Sequence, residues 1–196
     1  MPSRIDVIEP HEAEDEAVGA LLRDARDGWY GDAAFFGAMA HRPELFERIA
    51  AVFEAFPRSE RVDAATLELM RLRVAAVNRC AYCATVRTRE VADDVASKED
   101  AVLCGTADLD ALDDREALAV RLADAFASDP HAITDDLIDD LRDAFGEEGL
   151  VELLAFAALE VGFDRFCIAL QLDTTEESEY PTGLRYPFDP EEETSK

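Results

Sequence analysis

The chain reads as an all-α protein of about eight helices, and three features of its sequence point there. Apolar residues recur at helical spacing along nearly the whole length, no stretch alternates apolar and polar residues as a half-buried strand does, and no Asn-Gly hairpin turn interrupts it. At 196 residues the chain is long enough for one domain with a sizeable core. No internal repeat is present. Residues 1–173 are expected to form the single domain and 174–196 an acidic C-terminal tail.

Taken in order, Glu12 to Arg26 places Ala17, Ala20, Leu21 and Leu22 near one stripe of a first helix. Trp29, Tyr30, Phe35 and Phe36 then cluster around Gly28, Gly31 and Gly37, which reads as a connector holding a short helix. Pro43 opens a helix with Leu45, Ile49, Val52, Phe53 and Phe56 as its apolar positions, and Pro57 ends it. From Asp63, a natural N-cap, the series Leu67, Met70, Leu72, Val74, Val77 is too dense for a surface helix and predicts a buried one. Asn78-Arg79 breaks it, and a helix carrying Cys80 and Cys83 is expected to run to about Val95. Ser97-Lys-Glu-Asp100 reads as a capping box opening a short helix that stops at Gly105. Asp113 to Phe126, Thr134 to Phe145 and Glu147 to about Leu172 complete the set, punctuated by Pro130 and Gly146. Beyond Asp173 the chain turns acidic and polar, although Tyr180, Leu184, Tyr186 and Phe188 are apolar enough to dock on a surface such as a neighbouring subunit.

The net charge of −26 and a pI near 4.2 exclude nucleic acid and anionic membrane as partners, because phosphates would be repelled before contact. Acidic substrates are disfavoured for the same reason. Arg supplies nearly all the positive charge, and Lys occurs only at Lys98 and Lys196. This pattern suits a salt-loaded cytoplasm, where molar salt screens self-repulsion to about 3 Å, and stability is expected to fall at low salt. No apolar signal segment opens the sequence, and no run reaches the roughly 18–20 apolar residues of a membrane span, so a cytoplasmic protein is expected. In that compartment a Cys-x-x-Cys pair is more often catalytic or metal-binding than a permanent disulfide.

Cys80 and Cys83 stand at a helix start, so the two sulfurs share a face and can close a small ring without moving the backbone. Unpaired N–H groups and the helix dipole lower a thiol pKa there and raise the thiolate fraction. Glu68 lies twelve residues before Cys80 within an apolar run.

The run from Glu68 to Arg87 resembles the core of the alkylhydroperoxidase D-like (AhpD-like) branch of the carboxymuconolactone decarboxylase superfamily, whose pattern is Glu, eleven residues, then Cys-x-x-Cys-x-x-x-His. Met39-Ala-His-Arg-Pro-Glu-Leu45 is similar to the approach to that core, and Leu150 to Leu170 to the closing helix of the longer, peroxidase-related members. The resemblance covers about Phe36 to Leu172. It implies an AhpD-like helical fold and a thiol-dependent alkyl hydroperoxidase or disulfide oxidoreductase. By position, Cys83 would be the peroxidatic thiol, Cys80 the resolving and more exposed one, and Glu68 a proton acceptor.

The family's His is replaced by Arg87, which can hold a thiolate by charge but cannot take a proton at neutral pH. Tyr82 offers a hydroxyl near the site. Each has a structural rival: Glu68 as a buried partner of Arg71 or Arg87, Arg87 as a surface cation, Tyr82 as packing. The resemblance further implies no bound cofactor, a small-molecule peroxide as substrate, an unknown dithiol electron donor and a homo-oligomer. Trp29, Phe35 and Phe36 would then line an apolar pocket or simply fill the core. His41, before Arg42-Pro43, reads as a helix-entry residue. No metal is expected, because His11, His41 and His131 are scattered, and Cys104 and Cys167 read as structural thiols. The competing reading is a non-catalytic or redox-responsive binding or scaffold protein that has lost the relay His. Lactone decarboxylation fits poorly, since decarboxylase members lack the cysteine pair.

Overall fold

The computed structural model describes residues 3–175, apart from the side chain of Trp29 and the surroundings of Gly28. The helices are α1 (Glu16–Asp24), α2 (Ala34–Met39), α3 (Pro43–Ala55), α4 (Ala64–Asn78), α5 (Ala81–Thr85), α6 (Ala92–Val95), α7 (Glu99–Leu103), α8 (Asp114–Ser128) and α9 (Asp135–Leu170). No strand occurs among the described residues, so the all-α prediction holds. No described helix is long and apolar enough to cross a membrane. The expected tail from 176 onward, with its four apolar residues, lies outside the described residues, as does the side chain of Trp29.

Helix α4 is the centre of the molecule. Asp63 caps it by accepting the Thr66 N–H at 2.8 Å, and every residue from Thr66 to Ala75 is buried. Its Leu67, Met70 and Val74 join Leu122, Leu141 and Leu153 of α8 and α9, while Leu69 and Leu72 meet Val95, Val102 and Val120 on the other side. A helix surrounded in this way cannot hydrate its charges, so Glu68, Arg71 and Arg73 must each find partners inside. Arg73 does so by donating to Asp124 at 2.6 Å and to the carbonyls of Val102, Cys104 and Gly105.

A second core gathers α2, α3 and the end of α9 around Phe35. Its ring lies 5.0–6.0 Å from those of Phe36, Phe53, Phe163 and Phe166. Burying rings of this kind contributes roughly 1.5–3 kcal/mol each. Gly37 is required here by close approach, since a Cβ would sit 2.7 Å from the Ile8 carbonyl oxygen.

Several local expectations change. Helix α1 starts at Glu16, not Glu12, and buries Val18, Gly19 and Leu22, leaving Ala17 exposed. On α3 the buried face is Phe46, Ala50 and Phe53, whereas Leu45 and Val52 face outward, because the neighbouring Phe35 and Phe36 set which side is covered. Ser97 opens no capping box, since a 3₁₀ turn over Ala96–Lys98 runs directly into α7. The capping box belongs to α8, where Asp113 and Glu116 satisfy each other's backbone N–H groups. Gly146 marks the expected break, with φ 71° inside α9.

The cysteine helix is the largest correction. α5 stops at Thr85, far short of Val95, and Val86 is extended. Arg71 takes the carbonyls of Cys83 and Val86 at 2.7 Å each, and Arg87 takes those of Ala84, Thr85 and Val86. Guanidinium groups thus satisfy carbonyls that a continuing helix would have used, and the β-branched run Thr85, Val86, Thr88 favours the extended exit.

Candidate active site

Arg79 at the end of α4 adopts the left-handed conformation (φ 60°, ψ 40°), and the Cys80 N–H then bonds back to the Ala75 carbonyl at 2.9 Å. This Schellman-type turn reverses the chain and delivers Cys80 as the N-cap of α5. Cys80 and Cys83 are joined as a disulfide, and the Cys80 sulfur accepts the Cys83 N–H at 3.2 Å. Cys80 is fully buried and Cys83 is 7% exposed, so the expected order of exposure is reversed. Cys83 borders the cleft beside α9, whereas Cys80 does not line it.

Cys83 opens onto a narrow cleft lined by Tyr30, Phe35, Phe53 and Phe163, with Arg71, Glu160, Asp164 and Cys167 as its polar groups. Tyr30, Phe53 and Arg71 also wall an adjoining cleft, which reaches Glu68, Thr88 and Phe156.

Glu68 and Arg71 form a two-pronged ion pair, 2.8 Å from Nε to Oε2 and 2.7 Å from Nη2 to Oε1. The Thr88 N–H and hydroxyl donate to the same carboxylate at 3.1 and 2.7 Å. Burial opposes ionisation of Glu68, but the Arg71 charge and these hydrogen bonds overcome it and hold the carboxyl below its ordinary value. A carboxylate with four donors and a lowered pKa is a poor proton acceptor, and its geometry is that of a buried ion pair. The Arg71 guanidinium also sits 5.4 Å from the centre of the Tyr30 ring.

Arg87 lies beyond the end of α5, off the Cys83 face. Its guanidinium is held by Glu99 at 2.7 and 2.9 Å, and it does not line the cleft. The cation beside Cys83 is Arg71. The Tyr82 hydroxyl accepts the Phe35 N–H at 3.1 Å, which ties α5 to α2. His41 is exposed and bonds the Asp6 carbonyl, away from the cleft.

The sequence reading missed the groups supplied by α9. Glu160, Asp164 and Cys167 stand at i, i+4 and i+7, one face of one helix, and all three are buried. A polar stripe inside an apolar helix was the signal that could have found them. Burial chiefly raises the Glu160 carboxyl to about 8, with Asp164 adding to it. Burial likewise raises Asp164 to about 7, against the hydrogen bond from Asn78 and the Arg71 charge. Glu160 Oε1 has no hydrogen-bond partner. The two carboxyls therefore titrate where a proton carrier is useful, near neutral pH. Cys167 is pushed well above its ordinary value, first by burial and then by Asp164 and Glu160. Its sulfur, read as merely structural from sequence, lies with those of Cys80 and Cys83 in a cluster whose members are all within 4.8 Å of one another.

Raised carboxyl pKa values fix a sign for stability. The folded state holds protons that the unfolded chain releases near pH 4, so this contribution is complete at low pH and lost as pH rises through about 7 for Asp164 and about 8 for Glu160. Urea unfolding midpoints are expected to fall between about pH 5.5 and about pH 8.5, and to fall less in Asp164→Asn and Glu160→Gln. An unchanged slope in the double variant would contradict the assignment.

Comparison with known proteins bears on the fold. Residues 43–125 match the model of the carboxymuconolactone decarboxylase family, a segment that includes Glu68 and both cysteines and ends before the α9 groups. No curated protein matches the chain. Among solved structures, a peroxidase-related protein with an alkylhydroperoxidase AhpD core from Ralstonia eutropha JMP134 superposes with a TM-score of 0.70 at 19% identity, covering 94% of this chain and 96% of that one. A peroxidase-related protein from Silicibacter sp. TM1040 gives 0.71 at 15% identity over the same shares. A cysteine-to-alanine variant of the debrominase Bmp8, in complex with 2,3,4-tribromopyrrole, gives 0.70 at 17% identity over 87% of this chain and 92% of that one. At these identities the shared property is the fold. The chain thus has the fold of the AhpD-core proteins over nearly its whole length, and its residues 43–125 are similar to the carboxymuconolactone decarboxylase family.

Proposed function

We propose that the protein is a thiol-dependent hydroperoxidase whose working pair is Cys83 and Cys80. The observation that carries this reading is the position of Cys83, bonded to Cys80 and opening onto an apolar cleft that holds one guanidinium and two carboxyls of near-neutral pKa.

From the reduced state, Asp164 or Glu160 accepts the Cys83 proton, and the Arg71 charge favours the resulting thiolate. The thiolate attacks the terminal peroxide oxygen, the O–O bond breaks, and the alkoxide leaves with a proton returned by the carboxyl. Cys83 is now a sulfenic acid. The Cys80 thiol condenses with it, releasing water and closing the disulfide. One hydroperoxide and two thiols thus give an alcohol, water and the disulfide, which an external dithiol reduces. This route needs no histidine, because its proton carriers come from α9. A homo-oligomer belongs to the same reading, with Leu45 and Val52 exposed on α3 as candidate contacts.

The cleft's aromatic walls favour a second substrate class, flat halogenated aromatics, since the debrominase Bmp8 shares the fold and is seen with a brominated pyrrole. A single assay separates the two. With dithiothreitol as donor, tert-butyl hydroperoxide is expected to be consumed over many turnovers, while bromide release from a bromopyrrole stays at background. The reverse pattern would replace peroxide with haloaromatic as substrate. Turnover of neither would leave the pair as a non-catalytic redox switch.

A further inference from the structure

Three sulfurs meet at this site, where the reaction above uses two. Cys167 arrives from α9, and its Sγ lies within 4.8 Å of both members of the Cys80–Cys83 disulfide. Cys83 and Cys167 line the same cleft. Glu160 and Asp164 line it too, two turns and one turn before Cys167 respectively, and the Oε1 of Glu160 is buried without a hydrogen-bond partner. An apolar thiol packed for its volume alone would not need a disulfide in front of it and two carboxyls behind it.

We propose that Cys167 is a third redox thiol of this site, exchanging with the Cys80–Cys83 disulfide to form a Cys83–Cys167 disulfide. The Cys167 thiol gives its proton to the carboxylate of Asp164 or Glu160. Its thiolate attacks Cys83 Sγ, the Cys83–Cys167 bond forms as the Cys80–Cys83 bond breaks, and Cys80 departs as a thiolate that then takes up a proton. One disulfide is exchanged for another, so no oxidant or reductant is consumed. Cys80 is the fitting leaving group because its sulfur already accepts the Cys83 N–H at 3.2 Å, a bond that favours the thiolate. Burial keeps Cys167 protonated, which confines its reactivity to moments when a neighbouring carboxylate is free to accept a proton. The consequence is that the oxidised pair need not include Cys80, and a sulfenic acid on Cys83 has two thiols able to resolve it.

The test uses diamide, a thiol oxidant that removes two electrons and two protons from a thiol pair, so it does not depend on peroxide chemistry and its failure is separate from failure of the peroxidase reading. Cys104 is exposed and is replaced by serine throughout to prevent disulfides between chains. Reduced protein receives one equivalent of diamide, is quenched with acid, unfolded and alkylated, and its disulfides are mapped by peptide mass spectrometry. In Cys80→Ser the expected result is loss of two alkylatable thiols per chain and a Cys83–Cys167 peptide. Cys80→Ser/Cys167→Ala should keep Cys83 alkylatable, and Cys167→Ala alone should still form Cys80–Cys83. Cys83 and Cys167 both alkylated in a Cys80→Ser protein with the wild-type circular dichroism spectrum would overturn the proposal. Should Cys80→Ser not fold, the same mapping on the chain that retains all three sulfurs decides: a population with Cys80 alkylated and Cys83 joined to Cys167 supports the exchange, and its absence overturns it.

Discussion

Cys83→Ser is expected to abolish hydroperoxide turnover, whereas Cys80→Ser is expected to retain the first oxidation step. The difference follows from position. Cys83 is the member of the pair that borders the cleft, and Cys80 is fully enclosed as the N-cap of α5. A serine hydroxyl at 83 has no accessible anion near neutral pH and cannot displace an alkoxide from a peroxide, so residual consumption should equal the dithiol background. In Cys80→Ser the Cys83 thiol still meets the peroxide, and Cys167 stands within 4.8 Å to take the resolving role. Steady-state consumption of tert-butyl hydroperoxide by the two variants checks the first half, and mass spectrometry of the single-turnover product checks the second. Full activity in Cys83→Ser would reverse the assignment of the two cysteines.

Glu68→Ala is expected to destabilise the fold by roughly 3–5 kcal/mol, the range for removing one partner of a buried ion pair. Both side chains are almost completely shielded, at 3% exposure for Arg71 and 1% for Glu68. Alanine would leave the Arg71 guanidinium without a counter-charge and the Thr88 N–H and hydroxyl without their acceptor. The damage would spread to the thiols, since Arg71 also fixes the carbonyls of Cys83 and Val86 that end α5. Urea denaturation in molar KCl measures the loss. Glu68→Gln keeps two acceptor lone pairs and should cost less, and a paired Glu68→Leu/Arg71→Met exchange should recover part of the stability, because the uncompensated charge goes with its partner. A loss below about 1 kcal/mol in Glu68→Ala would show that water reaches the pair. Glu68 is thus a buried structural partner at the floor of the site, and the mechanism we propose assigns proton transfer to Glu160 and Asp164 instead.

Much of the architecture was legible because it is written locally. The dense apolar run after Asp63 could only be a buried helix, and Gly146 between two helical stretches could only be a break. The Cys-x-x-Cys spacing was legible as two sulfurs placed to close a small ring, as Cys80 and Cys83 do. What escaped was decided by contacts between distant segments. The end of α5 depends on Arg71 from α4 reaching its carbonyls, and no propensity within Cys80 to Val95 encodes that. Leu45 and Val52 have the right spacing for a buried face, yet the position of the α2 rings turned Phe46, Ala50 and Phe53 inward instead. Arg87 looked like a substitute for histidine only on the assumption that the helix continued. The carboxyls proposed as proton carriers come from α9, beyond the segment that matches the family model, where Glu160, Asp164 and Cys167 are separated in sequence from the thiols they face.

The central claim is that Cys83 reduces a hydroperoxide and Cys80 closes the disulfide behind it. The most direct measurement adds limiting tert-butyl hydroperoxide to the reduced protein in molar KCl and counts free thiols against time. The expected result is a rapid loss of two thiols per chain, mapped to Cys80 and Cys83. Loss no faster than that of an ordinary thiol such as glutathione would contradict it.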